Sequence, residues 1–336
     1  MAVCSCGTSV LDPLAGLEPG KARVCFQVEP AGTKAALASG AETRLETLDL
    51  LVFRTGTGLL DCHSRVLGTD RVQADVPAGE SLDWYLVANL PSGRLDGIGT
   101  EEAFLAAQTY LSDTGSSMVM SASGMVTIPY SSRGEYVELG PFGLDRYACK
   151  ISVTDITVEW LGDFASAPSC TVDRLIVMNG RTAGTLSGEA TSDADAWWVN
   201  KLTDEALDSD PSSAVGKLAY DSPALAVTSA AKTALGSVVY AMPNASTSDE
   251  NALDTPWAPR RTRLCVRLTI GGVQQWYPID LPAMERNHHY VVSDLVIRGP
   301  GTAGPDQGVD RTDLSFNISV TPWGTDSQNI LVEPQE

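Results

Sequence analysis

The stretch "CKISVTDITVEWL", at positions 149–161, carries the clearest structural signal in the chain. Its apolar residues Ile151, Val153, Ile156 and Val158 are interspersed with serine, threonine and glutamate. Because successive side chains of a β-strand point to opposite faces of a sheet, this pattern gives one apolar and one polar face. The stretch therefore predicts a half-buried strand.

Similar patterns recur along most of the chain. Further strand-like runs lie at 22–30, 48–60, 82–93, 171–180, 263–281 and 313–323. The pair Gly271–Gly272, between two apolar runs, predicts a two-residue hairpin turn. One helix is predicted at about 100–112, with Thr100 as its N-cap. The region 185–255 is rich in serine, aspartate, alanine and proline, and predicts long surface loops.

Strands at short intervals, joined by turns, favour an all-β fold made of β-sandwich domains. The 336 residues correspond to about two domains of roughly 150 residues each. The segment "GPFGLDR", at 140–146, marks the boundary. We expect an N-terminal sandwich at 22–144 with one short helix, and a C-terminal sandwich at 145–325 with the long loops. A flexible N-terminus, 1–21, and a tail, 326–336, flank them.

The composition excludes several classes of function. The 42 acidic residues outnumber the 23 basic ones, for a net charge of −19, which disfavours binding to nucleic acid or to an anionic membrane surface. The sequence contains no run of about 18 apolar residues, so it predicts no membrane-spanning helix. Of the seven cysteines, Cys25, Cys149 and Cys265 lie in apolar strand-like runs, where we expect buried free thiols.

Two of the three histidines, His288 and His289, lie together near Glu285 and Asp294. If the strand "HHYVVSDLVI" includes both, their side chains point to opposite faces and do not converge on one metal ion. No zinc spacing, nucleophile elbow, phosphate loop or dinucleotide motif occurs in the chain. The sequence therefore predicts no enzyme activity, no metal and no cofactor.

The same stretch resembles a known family. The segments "ERNHHYVVSDLVIRGPGTAGPD" and "LSFNISVTPW" are similar to the C-terminal domain of the Bacteroidales fimbrillins, the type V pilus subunits. The matching positions are an Arg-Asn-His-x-Tyr strand start at 286–290, a Gly-Pro-Gly-Thr loop at 299–302, and Val320 with Trp323. "YPIDL" at 277–281 and "RYACKISVTDITV" at 146–158 resemble further family strands.

This resemblance implies two tandem transthyretin-like β-sandwiches and a structural, non-enzymatic subunit of a cell-surface fimbria. It also implies a lipoprotein precursor anchored in the outer membrane. Bacterial lipoprotein signal peptidase accepts a small residue before the acylated cysteine. Cys6 follows Ser5, whereas Cys4 follows Val3, so Cys6 is the expected lipidation site and Cys4 the alternative.

The resemblance further implies assembly by donor-strand exchange after proteolysis. In this family the loop after the first strand is cut by a trypsin-like protease. The matching bond here is Lys34–Ala35, with Arg44 as the alternative position. The cut would free the first strand, which carries Ala22, Val24, Phe26 and Val28 on one face. The C-terminal tail, with Ile330, Leu331 and Val332, is the implied donor.

Three other functions remain open from the sequence. A fimbrial tip adhesin for a host or glycan ligand, or an anchor subunit, would use the same fold. Trp197 and Trp198, beside acidic residues, are the best hint of a sugar platform, although core packing is the better explanation of them. A hydrolase would need an acid pair among Asp193, Asp195 and Asp204, which are read more simply as solubilising charge. The expected partners are other fimbrial subunits, in a homo- or heteropolymer at the cell surface.

Overall fold

The computed structural model describes residues 16–29, 40–114, 117–161, 169–188, 198–199, 218–229, 231–248, 259–305, 307–309 and 313–323. The first ten strands are β1 (Lys21–Glu29), β2 (Thr47–Arg54), β3 (Leu60–Leu67), β4 (Arg71–Pro77), β5 (Ser81–Ala88), β6 (Gln108–Tyr110), β7 (Met120–Thr127), β8 (Tyr136–Gly143), β9 (Asp145–Arg146) and β10 (Cys149–Val158). The next ten are β11 (Cys170–Met178), β12 (Gly180–Arg181), β13 (Ala183–Thr185), β14 (Trp198–Val199), β15 (Ala219–Val227), β16 (Thr233–Ala241), β17 (Arg263–Ile270), β18 (Val273–Asp280), β19 (His288–Ile297) and β20 (Leu314–Pro322). Short helices α1 (Gly40–Thr43) and α2 (Glu101–Ala106) interrupt them. The predicted all-β fold is confirmed.

The chain forms two compact units. As far as the structure describes them, the first comprises Met1–Pro30, Leu45–Phe104 and Ser121–Leu144. The second comprises Ala31–Arg44, Leu105–Met120 and Asp145–Glu336. The short helix α1 therefore belongs to the second unit, although strands of the first unit flank it in sequence.

In the first unit, one sheet has the order β4-β1-β8 and another contains β3-β2-β5-β7 in that order. Strand β2 is buried along nearly its whole length, and Phe104 of α2 covers its Phe53 end on the face that lies away from β1. The Phe104 ring of α2 lies 5.8 Å from the Phe53 ring and 4.7 Å from the Tyr85 ring. This explains why β2 is a continuous apolar run rather than an alternating one.

Helix α2 begins where the sequence predicts and ends sooner. The Thr100 Oγ1 accepts a hydrogen bond from the Ala103 amide at 3.2 Å, as an N-cap does. The helix stops at Ala106 instead of continuing to residue 112, because Gln108–Tyr110 pairs with β13 as strand β6. A strand partner distant in sequence therefore overrides the local helical pattern.

In the second unit, the sheets have the orders β16-β10-β19-β20 and β15-β11-β17-β18. Ile151, Val153, Ile156 and Val158 of β10 are all buried. Ile151 and Val153 have odd numbers and Ile156 and Val158 have even ones, so in a regular strand the two pairs would point to opposite faces. A register shift between Val153 and Asp155 turns both pairs toward the core.

The second unit also confirms the predicted hairpin. Ile270 pairs with Val273, and Gly271 and Gly272 have φ angles of 58° and 86°, as a type I′ turn requires. The prediction of surface loops at 185–255 is wrong in part, because this region contains β15 and β16. Each of these strands pairs with a central strand of its sheet.

Candidate functional site

Strand β1 is the central strand of its sheet. It pairs antiparallel with β4, from Lys21↔Pro77 to Gln27↔Arg71, and parallel with β8. Its residues Ala22, Val24, Phe26 and Val28 are at most 1% exposed. The alternation that the sequence predicts for this strand is therefore the one that lines the core of the first unit.

The largest of these side chains fills an aromatic pocket. The Phe26 ring lies 5.3 Å from the Trp84 ring of β5 and 6.0 Å from the Phe142 ring of β8. The Trp84 and Phe142 rings are themselves 4.3 Å apart. Such contacts add about 0.5–1.5 kcal/mol per pair beyond the burial of apolar area.

The opposite face of β1 carries polar contacts. Arg23 donates to both carboxylate oxygens of Asp75 on β4, at 2.7 and 2.9 Å. This hydrogen bonding lowers the pKa of Asp75 below its usual value. Farther along, Arg71 contacts Gln27 at 3.3 Å and Glu138 of β8 at 3.2 Å.

Close approach between β1 and β8 depends on a glycine. Gly140 has a φ of +105°, and a Cβ atom there would lie 2.5 Å from the Gln27 carbonyl oxygen. A larger residue would therefore push the two strands apart. Loss of β1 would leave β4 and β8 without their shared neighbour and expose an apolar groove with unpaired backbone groups, which is unfavourable in water.

A second constellation surrounds Glu42 of α1, within the second unit. The Glu42 side chain is 2% exposed. Its carboxylate accepts hydrogen bonds from Lys150 Nζ at 2.9 and 3.2 Å, from the Tyr240 hydroxyl at 2.8 Å and from Trp323 Nε1 at 3.2 Å. These donors lie on β10, on β16 and just after β20, so one buried carboxylate ties three strands to the chain segment of α1.

Arg146 completes this Glu42 cluster. Its fully buried guanidinium donates to the carbonyl oxygens of Glu42 at 3.0 Å and Trp323 at 3.1 Å. It also lies 4.5 Å from the centre of the Trp323 ring, a cation–π distance. Burial lowers the pKa of Arg146, and the Glu42 charge opposes this shift. The cluster balances two buried cations against one carboxylate and several carbonyl groups.

The segment 286–290 has a structural place beside this cluster. Asn287, at a φ of 55°, accepts from the Arg146 amide at 3.2 Å and donates to Asp145 Oδ1 at 2.7 Å. Its carbonyl accepts the Trp323 amide at 2.6 Å. The Arg286 guanidinium lies 4.2 Å from the centre of the Tyr147 ring. The motif thus joins the start of β19 to the segment before β10 and to the end of β20.

The two histidines have separate environments. Both belong to β19; His288 Nδ1 lies 2.8 Å from the Arg286 carbonyl oxygen, and His289 Nε2 lies 2.8 Å from Ser152 Oγ. Burial and the nearby Lys150 lower the pKa of His289 to about 4. His289 is therefore a half-buried strand residue paired with Ser152 rather than a solvated side chain. Among the described residues, no group of three or more His, Cys, Asp or Glu side chains could hold a metal ion.

Several residues singled out by sequence fall outside the described ranges: Cys4, Cys6, Lys34, Ala35, Trp197, Asp193, Asp195, Asp204, Ile330, Leu331 and Val332. Arg44 is described, and it is exposed two residues after Glu42. Trp198 is buried, so it is no exposed platform for a sugar. Cys25, Cys149 and Cys265 are buried free thiols, as predicted.

Sequence reasoning missed Glu42 and its partners. Glu42 lies in a polar loop sequence between strands, where a carboxylate is usually solvated. Nothing in the neighbouring residues marks Glu42 as buried, because its partners are distant in sequence.

No helix in the described part of the chain is long and apolar enough to cross a membrane.

Comparison with known proteins identifies the fold. No protein-family model matches the chain, and no curated protein matches it by sequence. A candidate cell adhesion protein from Bacteroides eggerthii superposes with a TM-score of 0.66 at 19% identity, covering 91% of this chain and 97% of the other. The fimbrilin FimA of Porphyromonas gingivalis gives 0.62 at 15% identity, covering 93% and 99%.

A third solved structure is the tip fimbrial protein Mfa3 of Porphyromonas gingivalis, with a C-terminal truncation. It gives a TM-score of 0.51 at 15% identity, covering 90% of this chain and 100% of the other. The likeness extends over nearly the whole of each chain, and not over one sandwich alone. The chain therefore has the fold of the fimbrillin-like and candidate cell adhesion proteins of Bacteroidales.

Proposed function

We propose that this protein is a structural subunit of a cell-surface fimbria that polymerises by donor-strand exchange after a proteolytic cut. The strand exchanged is β1, and it is replaced by a strand from another subunit. The two compact units act as two tandem domains, and the chain contributes to adhesion as part of a polymer without catalysing a reaction.

The position of β1 carries this proposal. A central strand with a buried apolar face completes a sheet, and the sequence that follows it contains Lys34. A cut after Lys34 would leave β1 attached only by non-covalent contacts. A strand donated in trans can then restore the same backbone ladder and fill the same pockets. Before the cut, β1 fills the groove and the chain stays monomeric.

The Glu42 cluster favours Lys34 over Arg44 as the processing position. A cut after Lys34 leaves Glu42 in the chain that continues into the second unit. A cut after Arg44 would detach Glu42 and leave the buried Lys150 and Arg146 without their carboxylate. Removing one partner of a buried ion pair costs about 3–5 kcal/mol. A protease cut that preserves the cluster is therefore the more suitable trigger.

Limited trypsin treatment of the purified chain at high protein concentration tests the proposal. We expect a fragment that begins at Ala35, followed by oligomers detected by gel filtration and native mass spectrometry. Lys34→Ala should prevent the oligomers under the same protease. Deleting 328–336, which contains the proposed donor residues Ile330, Leu331 and Val332, should lower their yield, because at high protein concentration this tail can enter the groove of another copy even with low affinity.

Equal yields of oligomer from the Lys34→Ala chain would contradict the mechanism. If trypsin instead cuts after Arg44 and assembly still proceeds, strand exchange stands and the assignment of Lys34 fails. The Lys34→Ala chain should otherwise match the unaltered protein in circular dichroism, which controls for misfolding.

Export completes the proposed function. We place the precursor at the outer membrane through a lipid on Cys6, with Cys4 as the alternative, and the mature subunit in a fimbrium. A single acyl group at the N-terminus would hold the precursor at the membrane surface without a spanning helix. A cut at Lys34 would separate the subunit from this anchor and free it for assembly.

A further inference from the structure

The position of β1 has chemical requirements beyond an apolar face. This inference rests on the proposed strand exchange and concerns which donor strand the groove accepts. Two features, on opposite faces of β1, define the requirement: the aromatic pocket of Phe26 and the carboxylate of Asp75.

The aromatic pocket calls for a large side chain. Phe26 is fully buried between Trp84 and Phe142, with ring centroids 5.3 and 6.0 Å away. A donor with a small residue at this position would leave a cavity that rigid neighbours do not fill. Large-to-small changes at buried phenylalanines typically weaken packing by a factor of about 100 or more.

The opposite face calls for a positive charge. Arg23 and Lys21 are the cations that act on the Asp75 carboxylate, and both leave with β1. Arg71, the next cation along β4, is paired with Glu138 of β8. The emptied groove would therefore present Asp75 without the bidentate partner that it has in the closed unit, and a donor with a basic residue at the Arg23 position would restore it.

The chain's own proposed donor region meets neither requirement. Residues 324–336, "GTDSQNILVEPQE", contain no aromatic residue and no lysine or arginine. Ile330 and Val332 can occupy two apolar positions, but three acidic residues, Asp326, Glu333 and Glu336, accompany them. Such a strand would leave the aromatic pocket underfilled and add negative charge near Asp75 and Glu138.

We propose that the groove of this subunit selects a donor strand from a different protein. That strand has an aromatic side chain at the Phe26 position and a lysine or arginine three residues away, on the opposite face. The partner is thus a second kind of fimbrial subunit, and the subunit joins a heteropolymer at this end.

The full chain with a site-specific protease sequence inserted between Lys34 and Ala35 tests this. After cutting, the fragment containing β1 is removed in denaturant, and the remainder is refolded with labelled peptides under reducing conditions. The peptides are residues 19–30, the same peptide with Phe26→Ala or Arg23→Gln, and residues 324–336. Fluorescence anisotropy gives their relative affinities, and the uncut chain, which should bind none, is the control.

We expect the unaltered 19–30 peptide to bind best. Phe26→Ala should weaken binding about 100-fold, Arg23→Gln about fivefold, and the 324–336 peptide should bind at least about 100-fold more weakly. A charge swap separates pairing from general packing: an Arg23→Asp peptide should bind Asp75→Arg protein better than it binds the unaltered protein.

Three results would overturn the inference. The 324–336 peptide could bind as tightly as the 19–30 peptide, Phe26→Ala could leave affinity unchanged, or the charge swap could give no recovery. If no peptide binds the cut protein, not even 19–30, then replacement of β1 itself fails, and the proposed strand exchange falls together with this inference.

Discussion

At the scale of single residues, His289 makes the stability of the second unit depend on pH. Its pKa is lowered to about 4 by burial and by Lys150, while an unfolded histidine has a pKa of about 6.5. Between these values the unfolded chain binds more protons than the folded one. The free energy of unfolding should therefore fall as pH drops from about 6.5 to 4, by less than about 1.4 kcal/mol per pH unit.

His289→Gln should make this pH dependence shallower. Urea unfolding of the variant and the unaltered protein, compared at several pH values, measures the difference, because other titrating groups cancel. At pH 8 both side chains are neutral, so the difference there measures the altered packing and the altered contact with Ser152, about 1 kcal/mol. Identical pH slopes for the two proteins would show that His289 has no lowered pKa.

At the scale of elements, α1 is held in the second unit by Glu42, although its four residues are too few to form a stable helix alone. Glu42→Gln should lower the free energy of unfolding of this unit by about 3 kcal/mol, because Lys150 and Arg146 then lose their charged partner. Adding Lys150→Met should recover part of the loss. Glu159→Gln, which alters the half-exposed pair with Arg298, is the matched control and should cost under about 1 kcal/mol.

Urea unfolding monitored by fluorescence measures these changes, since Trp323 lies in the cluster. A loss for Glu42→Gln no larger than for Glu159→Gln would mean that the cluster does not hold α1. If the double variant shows the sum of the two losses and no recovery, then removing Glu42 does not leave Lys150 as an unpaired buried charge.

Strands β1 and β10, near the start of the first and second units, each have one antiparallel and one parallel neighbour. In the first unit β1 lies between antiparallel β4 and parallel β8. In the second unit β10 lies between antiparallel β16 and parallel β19. The difference lies in the chain next to the strand: β10 is joined to Asp145 by a short segment that Arg146 and Asn287 hold in place, whereas the proposed cut between residues 34 and 35 would separate β1 from the rest of the chain. The proposed exchange of a first strand is therefore assigned to the first unit.

At the scale of the whole molecule, the proposed lipid anchor and the proposed cut both lie in the N-terminal region. We expect the full-length precursor extracted from membranes to carry lipid on Cys6. Peptide mass spectrometry of this material checks the site, and Cys6→Ser should release the precursor from the membrane fraction while Cys4→Ser should not. Lipid on Cys4, or an unmodified Cys6 in membrane-bound material, would overturn the assignment.

Much of the fold could be predicted from sequence because strand alternation is a local signal. The runs that became β1, β10, β11 and the β17–β18 hairpin are read from residue type and spacing, and the Gly271–Gly272 turn follows from the backbone angles that a type I′ turn needs. The resemblance at 286–302 indicated the family fold. The role of Phe26 as a core residue also follows from parity along one strand.

The tertiary structure decided the features that depend on distant partners. Helix α2 is shorter than its pattern predicts because β13 pairs with the residues after it. The buried state of Glu42 and the lowered pKa of His289 arise from side chains more than 100 residues away. Strand order decided that β1 is central, with Asp75 and the Trp84–Phe142 pocket on its two faces. Local spacing determines which residues share a face of a strand, but only the assembled sheets determine which neighbours that face meets, because burial and charge pairing are properties of the packed chain.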